Sequence, residues 1–346
     1  MTNKLYLFFI CSSVFLASCF LLPASSFAFE YTSKGPLTLR SQNPVYLEFL
    51  NLEPTTATVI PEGTLWARID NAYSNIYEEG HGANNSELLD MELLRTAIHL
   101  NYGVYENMEV GIEIPFIRHD SGFLDGFIQK YHNFFGFPNG GRDHVGNNEF
   151  HYYFTQGGSR MYNVNQQAFG IGDITFSFKH NFIHEEENVP AVAWLFYFKF
   201  PTGDCANGMG SGNPDIGFAT ALQKTFDRWH TFLNLGYFVN GGHDYLQNYL
   251  NDVYFSYVLG GEYSVSHPVS LVAQINGGTP LLADAGFIQW DSFPMDLQLG
   301  AKGEHIVTWG PVYALTWQGA FTEDLNPNGP SIDFTVFGSI GFKFDL

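Results

Sequence analysis

The sequence predicts an all-β protein: a closed antiparallel transmembrane β-barrel of about 12 strands, with a short helix in the long loop between the third and fourth strands. Three observations carry this expectation. In the last stretch, residues 332–346, Ile332, Phe334, Val336, Gly338, Ile340, Phe342, Phe344 and Leu346 fall on one face. Asp333, Thr335, Phe337, Ser339, Gly341, Lys343 and Asp345 fall on the other. Only an extended strand has a period of two, and at about 15 residues this one exceeds the roughly 5–6 of a usual strand. A barrel in lipid must pair its last strand with its first, because an open edge would leave unpaired backbone groups. Second, strand-like segments recur along the chain with joins that alternate between short and long. Third, charged residues are 14% and aromatics 17% of the chain. That balance suits strands facing lipid between aromatic girdles and is the opposite of disorder.

Taken in order, residues 1–28 read as an export signal. Lys4 supplies the positive start, residues 5–22 are apolar, and Ser26-Phe27-Ala28 is a small-x-small site with cleavage after Ala28. Leu16-Ala17-Ser18-Cys19 fits a rival lipobox that would leave a lipidated Cys19, but Phe20, Leu21 and Leu22 continue the apolar run past it. No later stretch reaches about 18 continuous apolar residues, so no transmembrane helix is expected. With Cys11 and Cys19 removed with the signal, Cys205 stands alone. It cannot form an internal disulfide and reads as a solitary loop thiol.

Residues 29–63 carry Pro36, Pro44, Pro54 and Pro61 and lack a long period-two run. Their Tyr46, Leu47, Phe49, Leu50 and Leu52 need burial. Two placements stay open: a plug inside the lumen, or a periplasmic flap packed beneath the barrel.

The barrel is expected over 64–346. Its strands read as 64–75, 90–102, 108–116, 170–182, 191–200, 215–226, 229–238, 253–263, 269–277, 294–303, 312–321 and 332–346. The number is even, as bacterial barrels require, and most reach the roughly 9–11 residues needed to cross a membrane. The joins at 105–107, 227–228, 266–267 and 307–309 are tight, and 184–190 is little longer. The joins at 76–89, 118–169, 201–214, 240–252, 278–293 and 322–331 are long. Short inner turns and long outer loops are the expected asymmetry. Two stacked soluble sheets are the competing architecture.

On each strand the polar face should look into the lumen. This gives Arg68, Arg95, Lys179, Lys199, Lys302 and Lys343 against Asp70, Glu109, Glu113, Asp173, Glu262, Asp296 and Asp333. The two sets nearly cancel, so the net charge of -20 lies in loops and turns such as Glu185-Glu186-Glu187. Paired charges can cross-link facing walls, whereas unpaired ones in a narrow lumen are costly. A barrel of this size lies between those filled by side chains and those that enclose water, so a partly filled pore is expected. The acidic balance argues against a nucleic-acid partner. No Ser-His pair or metal-ligand spacing stands out, so no catalytic residue, metal or cofactor is assigned.

The outer loop 119–169 is too long for a bare connector. Phe123, Phe127, Tyr131, Phe134 and Phe135 recur at helical spacing. Asp120 or Ser121 would cap the helix and Gly136 would stop it before the turn cluster 137–143. Residues 149–153 suit a short extra strand above the barrel. The aromatic face is either a lid over the mouth or packing that closes the mouth or rests in the membrane interface.

The stretch from Phe123 to Asp143, with Pro36-Leu37 and Gln42-Asn43-Pro44 before it and Gly170-Ile171-Gly172-Asp173 after it, resembles the domain-of-unknown-function family 3187 of Gram-negative bacteria. The Gly-x-Gly-Asp start is weaker and is shared with barrels similar to phenol-degradation-pathway outer-membrane proteins. The final strand also resembles the signal that outer-membrane barrels present to their assembly machinery. The resemblance implies an outer-membrane barrel in contact with lipid and lipopolysaccharide, and no substrate or catalytic residue. Three functions follow as expectations: a transport pore for a small, hydrophobic or aromatic solute; a structural or surface-interaction barrel; and, as the least favoured, a barrel lipid hydrolase.

Overall fold

The computed structural model describes residues 31–136, 141–142, 145–164, 167–326, 328–330 and 332–346. The expected export signal and its expected cleavage site after Ala28, Cys11, Cys19 and part of the turn cluster at 137–143 lie outside the described residues.

Twelve strands form one closed antiparallel ring. They are β1 (Thr64–His81), β2 (Asn85–Tyr105), β3 (Met108–Asp120), β7 (Ile174–Ile183), β8 (Ala191–Phe200), β9 (Asp215–Phe226), β10 (Trp229–Val239), β11 (Val253–Ser264), β12 (Val269–Gly278), β13 (Met295–Trp309), β14 (Val312–Asp324) and β15 (Phe334–Asp345). The ring closes where β1 pairs with β15, from Thr64↔Asp345 to Asn75↔Phe334. Closure removes the edge that would otherwise expose a row of unpaired backbone groups. Period-two sequence then sorts the two faces. Leu235, Phe218, Leu271 and Val336 point outward and are about half exposed, while their neighbours Asn234, Ser270 and Thr335 are buried inside.

The long loop adds β4 (His151–Gln156), β5 (Ser159–Asn163) and β6 (Phe169–Ile171). β4 lies along the outer end of β2, and β5 lies along β4. Among the described residues there are three α-helices, α1 (Pro44–Leu47), α2 (Asp125–Phe135) and α3 (Ile288–Asp291), and a 3-10 turn at Cys205–Asn207.

The structure departs from the sequence-based expectation at three joins. Residues 76–89 are not a long loop, because β1 and β2 extend past the ring and turn at 82–84. Other elements cover this extension: β4 pairs along it and Trp290 of α3 donates to Glu87, so that Ile76, Tyr77, Leu88 and Leu89 are buried. β13 runs to Trp309, so the expected turn at 307–309 falls at 310–311. Segment 170–182 is split at Gly172 and Asp173 between β6 and β7, because Asp173 turns its carboxylate inward and accepts from Gly203 N at 2.8 Å.

Candidate functional site: the filled lumen

The site is the barrel interior, where the inward side chains of the wall meet residues 31–63. That segment makes little regular structure of its own. Its backbone groups are satisfied mostly by wall side chains, as buried polar groups must be.

At the end of the ring where β1 starts, Glu262 of β11 accepts from Ser33 Oγ at 2.8 Å, Lys34 N at 2.9 Å and Gly35 N at 3.1 Å. Lys302 Nζ of β13 donates to the carbonyl of Pro36 at 2.5 Å. Gln274 of β12 meets Leu37 from both sides, accepting from its N–H at 2.9 Å and donating to its carbonyl at 3.0 Å. Gln318 of β14 accepts from Thr38 N at 3.1 Å, and Asn276 donates to Leu39 O at 2.9 Å.

Midway, charged pairs take over. Glu113 of β3 bridges Arg40 of the segment and Arg95 of β2. Arg68 joins Glu53 of the segment to Asp70 beside it on β1. Lys179 pairs with Glu109 at 3.2 Å, and Glu109 also accepts from Ile60 N at 3.0 Å. Asn234 of β10 forms a reciprocal pair with the Thr55 backbone at 2.8 and 3.0 Å.

Toward the other end, Lys199 of β8 is a fully buried hub. Its ammonium reaches Asp173 at 2.6 Å, Asp215 at 3.0 Å, Ser211 Oγ at 2.7 Å and the carbonyl of Glu48 at 2.8 Å. Two acids around one lysine, with every ammonium proton placed, is the geometry that makes a buried charge tolerable. The Glu48 carboxylate is itself buried and receives Tyr152 and Tyr162 of β4 and β5 and His243 Nε2 at 2.9 Å. Loops above the ring therefore clamp the segment from the outside.

The inward charges read from the sequence fall as follows. Arg68, Asp70, Arg95, Glu109, Glu113, Asp173, Lys179, Lys199, Glu262, Asp296 and Lys302 are all buried. Asp296 sits across the ladder from Asp324. Lys343 is partly exposed and pairs with Glu304 at 2.8 Å. Asp333 precedes β15 and meets Arg142 of the long loop, which also holds Asp125. The structure thus distributes these residues over several layers rather than gathering them into one pocket.

The helix residues are placed differently from a lid. Phe123, Phe127 and Phe134 are exposed at 71%, 53% and 81%, and Tyr131 is half-buried. The side chain of Phe135 is outside the described part of the helix. What α2 turns toward the protein is Asp125, Ile128 and His132, all buried. Neither Asp120 nor Ser121 caps the helix. Glu92 of β2 does so from outside the loop, accepting from Phe123 N at 2.6 Å and from Leu124 N. Gly122, at φ +66°, permits this approach, because a Cβ there would lie 1.8 Å from the Glu92 carboxyl carbon. Gly136 ends the helix at φ +77°.

Among the described residues, two groups have the donor types of a metal site. In the first, Cys205, His243 and Glu48 converge. However, His243 Nδ1 accepts from Tyr245 N at 3.0 Å and Leu246 N at 3.1 Å. Its ring proton therefore sits on Nε2, facing Glu48, and no lone pair is left there for a cation. The Cys205 thiol is pushed up to about 12 by burial, with the Glu48 charge adding, so it is no ready thiolate. In the second, Glu53, Asp70 and His99 converge, but the guanidinium of Arg68 already occupies the space between the two acids. Neither set fits a metal. Cys205 is a free thiol in the 201–214 loop, and a buried one, with Sγ 3.9 Å from His243 Nε2.

The voids inside are small. One of about 180 Å³ lies at the β1-start end, lined by Lys34, Lys179, Lys302, Lys343, Trp66 and Trp317 among others. Others further in, beside Tyr254 and beside Glu113, measure about 20 Å³ each, room for roughly one water.

A family model described as a protein of unknown function (DUF3187) matches residues 11–344. Comparison with proteins of curated function gives no match. Among solved structures, the chain is similar to the COG4313 outer membrane channel from Pseudomonas putida F1, with a TM-score of 0.56 at 15% identity over 85% of this chain and 100% of that one. A CymD monoaromatic hydrocarbon channel gives a TM-score of 0.38 at 10% identity, covering 92% and 99% of the two chains. The Pseudomonas putida toluene transporter TodX gives 0.38 at 9%, covering 88% and 93%. The first likeness establishes a shared fold, the barrel of an outer-membrane channel.

Proposed function

The chain belongs to the DUF3187 family, and we propose that it is an outer-membrane barrel that passes a small solute, with residues 31–63 as a plug that shuts the lumen. One observation carries this reading. Inward polar side chains from β1, β3 and β7 through β14 all bond to this one segment. A purely structural barrel would fill its interior with its own side chains, as small barrels do. Here a separate piece of chain does the filling. It is held largely through side-chain bonds that water can replace one at a time, not through a strand ladder.

The kind of solute follows from what the plug covers. Phe49, Leu50 and Leu52 pack in one cluster with Ala191, Ala193, Ala219 and Ala221 of the wall. Displacement of the segment would bare this apolar strip beside the polar layers, which suits a small hydrophobic or aromatic molecule better than an ion.

The test is planar-bilayer conductance and liposome uptake of a neutral aromatic compound, with the mature chain and with residues 29–62 deleted. The deletion should raise both. Unchanged passage in a deletion variant that still runs as a folded barrel would overturn the plug. Absence of passage in both would leave the surface-interaction reading as the better one.

A further inference from the structure

We propose that α2 is a foot planted in the outer leaflet, its aromatic edge continuing the lipid-facing wall at the seam where β1 meets β15; this rests on the membrane-barrel reading above. The outward side chains of the seam run Ile69 and Ile340, then Tyr73 and Val336, then Phe334. Counted from Thr64, Tyr73 lies about one bilayer crossing along β1, the level of an aromatic girdle. α2 docks there. Phe123 stacks on Tyr73 at 6.1 Å. Phe127 meets Phe334 edge-on at 6.3 Å, and Tyr131 lies 6.0 Å from the same ring. Phe334 in turn stacks on Phe321 of β14 at 6.4 Å. These partners point away from the lumen, so the helix face that joins them does too.

Phe134, further along the helix, is 81% exposed. An apolar surface of this kind is costly in water, and it is continuous with the lipid-facing wall at the seam. Lys130, also exposed, lies one helical turn before Phe134. An aromatic edge with a lysine beside it is the pattern of a helix lying in a headgroup boundary, with the ammonium reaching back to anionic phosphates. The occupant is therefore the outer-leaflet boundary itself, acyl chains under the rings and lipid phosphate at Lys130.

The polar side of α2 ties this contact to the barrel. Asp125 accepts from Asn75 Nδ2 at 2.9 Å, and Arg142 joins Asp125 to Asp333. The helix thus spans both strands of the seam.

Nitroxide labels at Phe127→Cys, Phe134→Cys and Lys130→Cys would be placed in the mature protein, in vesicles of phosphatidylcholine with lipid A. Leu235→Cys marks the barrel wall and Ser159→Cys marks the exposed loop. Collision with oxygen and with a water-soluble nickel chelate is then compared. Positions 127 and 134 should favour oxygen severalfold over position 159, with 130 between them. Nickel access at 127 and 134 equal to that at 159 overturns the proposal. If 235 also proves open to nickel, it is the membrane-barrel reading that has failed, and the proposal with it.

Discussion

The side-chain amide of Gln274 meets the backbone of Leu37 twice, accepting its N–H at 2.9 Å and donating to its carbonyl at 3.0 Å. A glutamine on the wall stands in for a neighbouring strand. Gln274→Leu would strand two buried backbone groups, each at a cost of about 1–3 kcal/mol. Faster amide exchange at residues 33–40 and a higher single-channel conductance are expected, with the barrel amides unchanged. Equal exchange in the two proteins would show that the pairing does not hold the segment.

Lys199 bridges Asp173 and Asp215 in a site closed to solvent. Lys199→Met leaves both acids buried and facing one another. Removal of one partner from a buried pair typically costs about 3–5 kcal/mol. The temperature at which the folded barrel loses its compact migration in gels should fall clearly. Lys199→Met combined with Asp173→Asn and Asp215→Asn should recover most of the loss.

Glu87 sits beyond the ring on β2, where burial, and then the neighbouring Glu78 carboxylate, raises it well above its ordinary 4.5. The folded form therefore keeps a proton that the unfolded form gives up. Between 4.5 and that raised value the folded state binds more protons, so local stability falls as pH rises. Amide exchange at the β1–β2 tip, corrected for intrinsic rate, should be slower at pH 5 than at pH 8. Glu87→Gln should flatten the difference.

Glu92 takes the place of a helix cap for α2 from a neighbouring strand. Glu92→Ala should cost about 0.5–2 kcal/mol of local stability, the usual range for a lost cap, read as faster exchange over residues 123–128. Gly122→Ala, which would clash with the same carboxylate, should act similarly.

The strands were legible because each has a period of two and enough length, with β8 and β9 bounded in the structure as the alternation bounds them. The extension of β1 and β2 was not. Ile76 and Tyr77, then Leu88 and Leu89, are adjacent buried pairs that break the alternation, because loops cover the second face there. The N-terminal segment hid for a different reason. Leu37, Glu48 and Thr55 take partners 237, 195 and 179 positions away, and no local pattern encodes such pairings. The convergence of Cys205 on His243 and Glu48 was hidden in the same way. Glu92 as a cap had no signal at all, since capping motifs are local and this one is supplied across a sheet. One register choice fixes a whole face of a strand, and charges such as Arg68, Glu113 and Lys199 are buried, whereas the direction of α2 depended on which flank of its stripe met Phe334.

The chain enters the cylinder before it builds the cylinder. Residues 31–63 come first, yet their ties reach β12, β13 and β14, which come late, and the wall is finished only when β15 finds β1. The segment's full set of ties therefore exists only once the late strands are in place, and the ring is sealed only by the pairing that runs from Thr64 and Asp345. A chain without β15 would leave β1 and β14 as unpaired edges while keeping every tie that the segment makes to β7 through β14, so the sealing of the wall and the filling of the lumen rest on different strands.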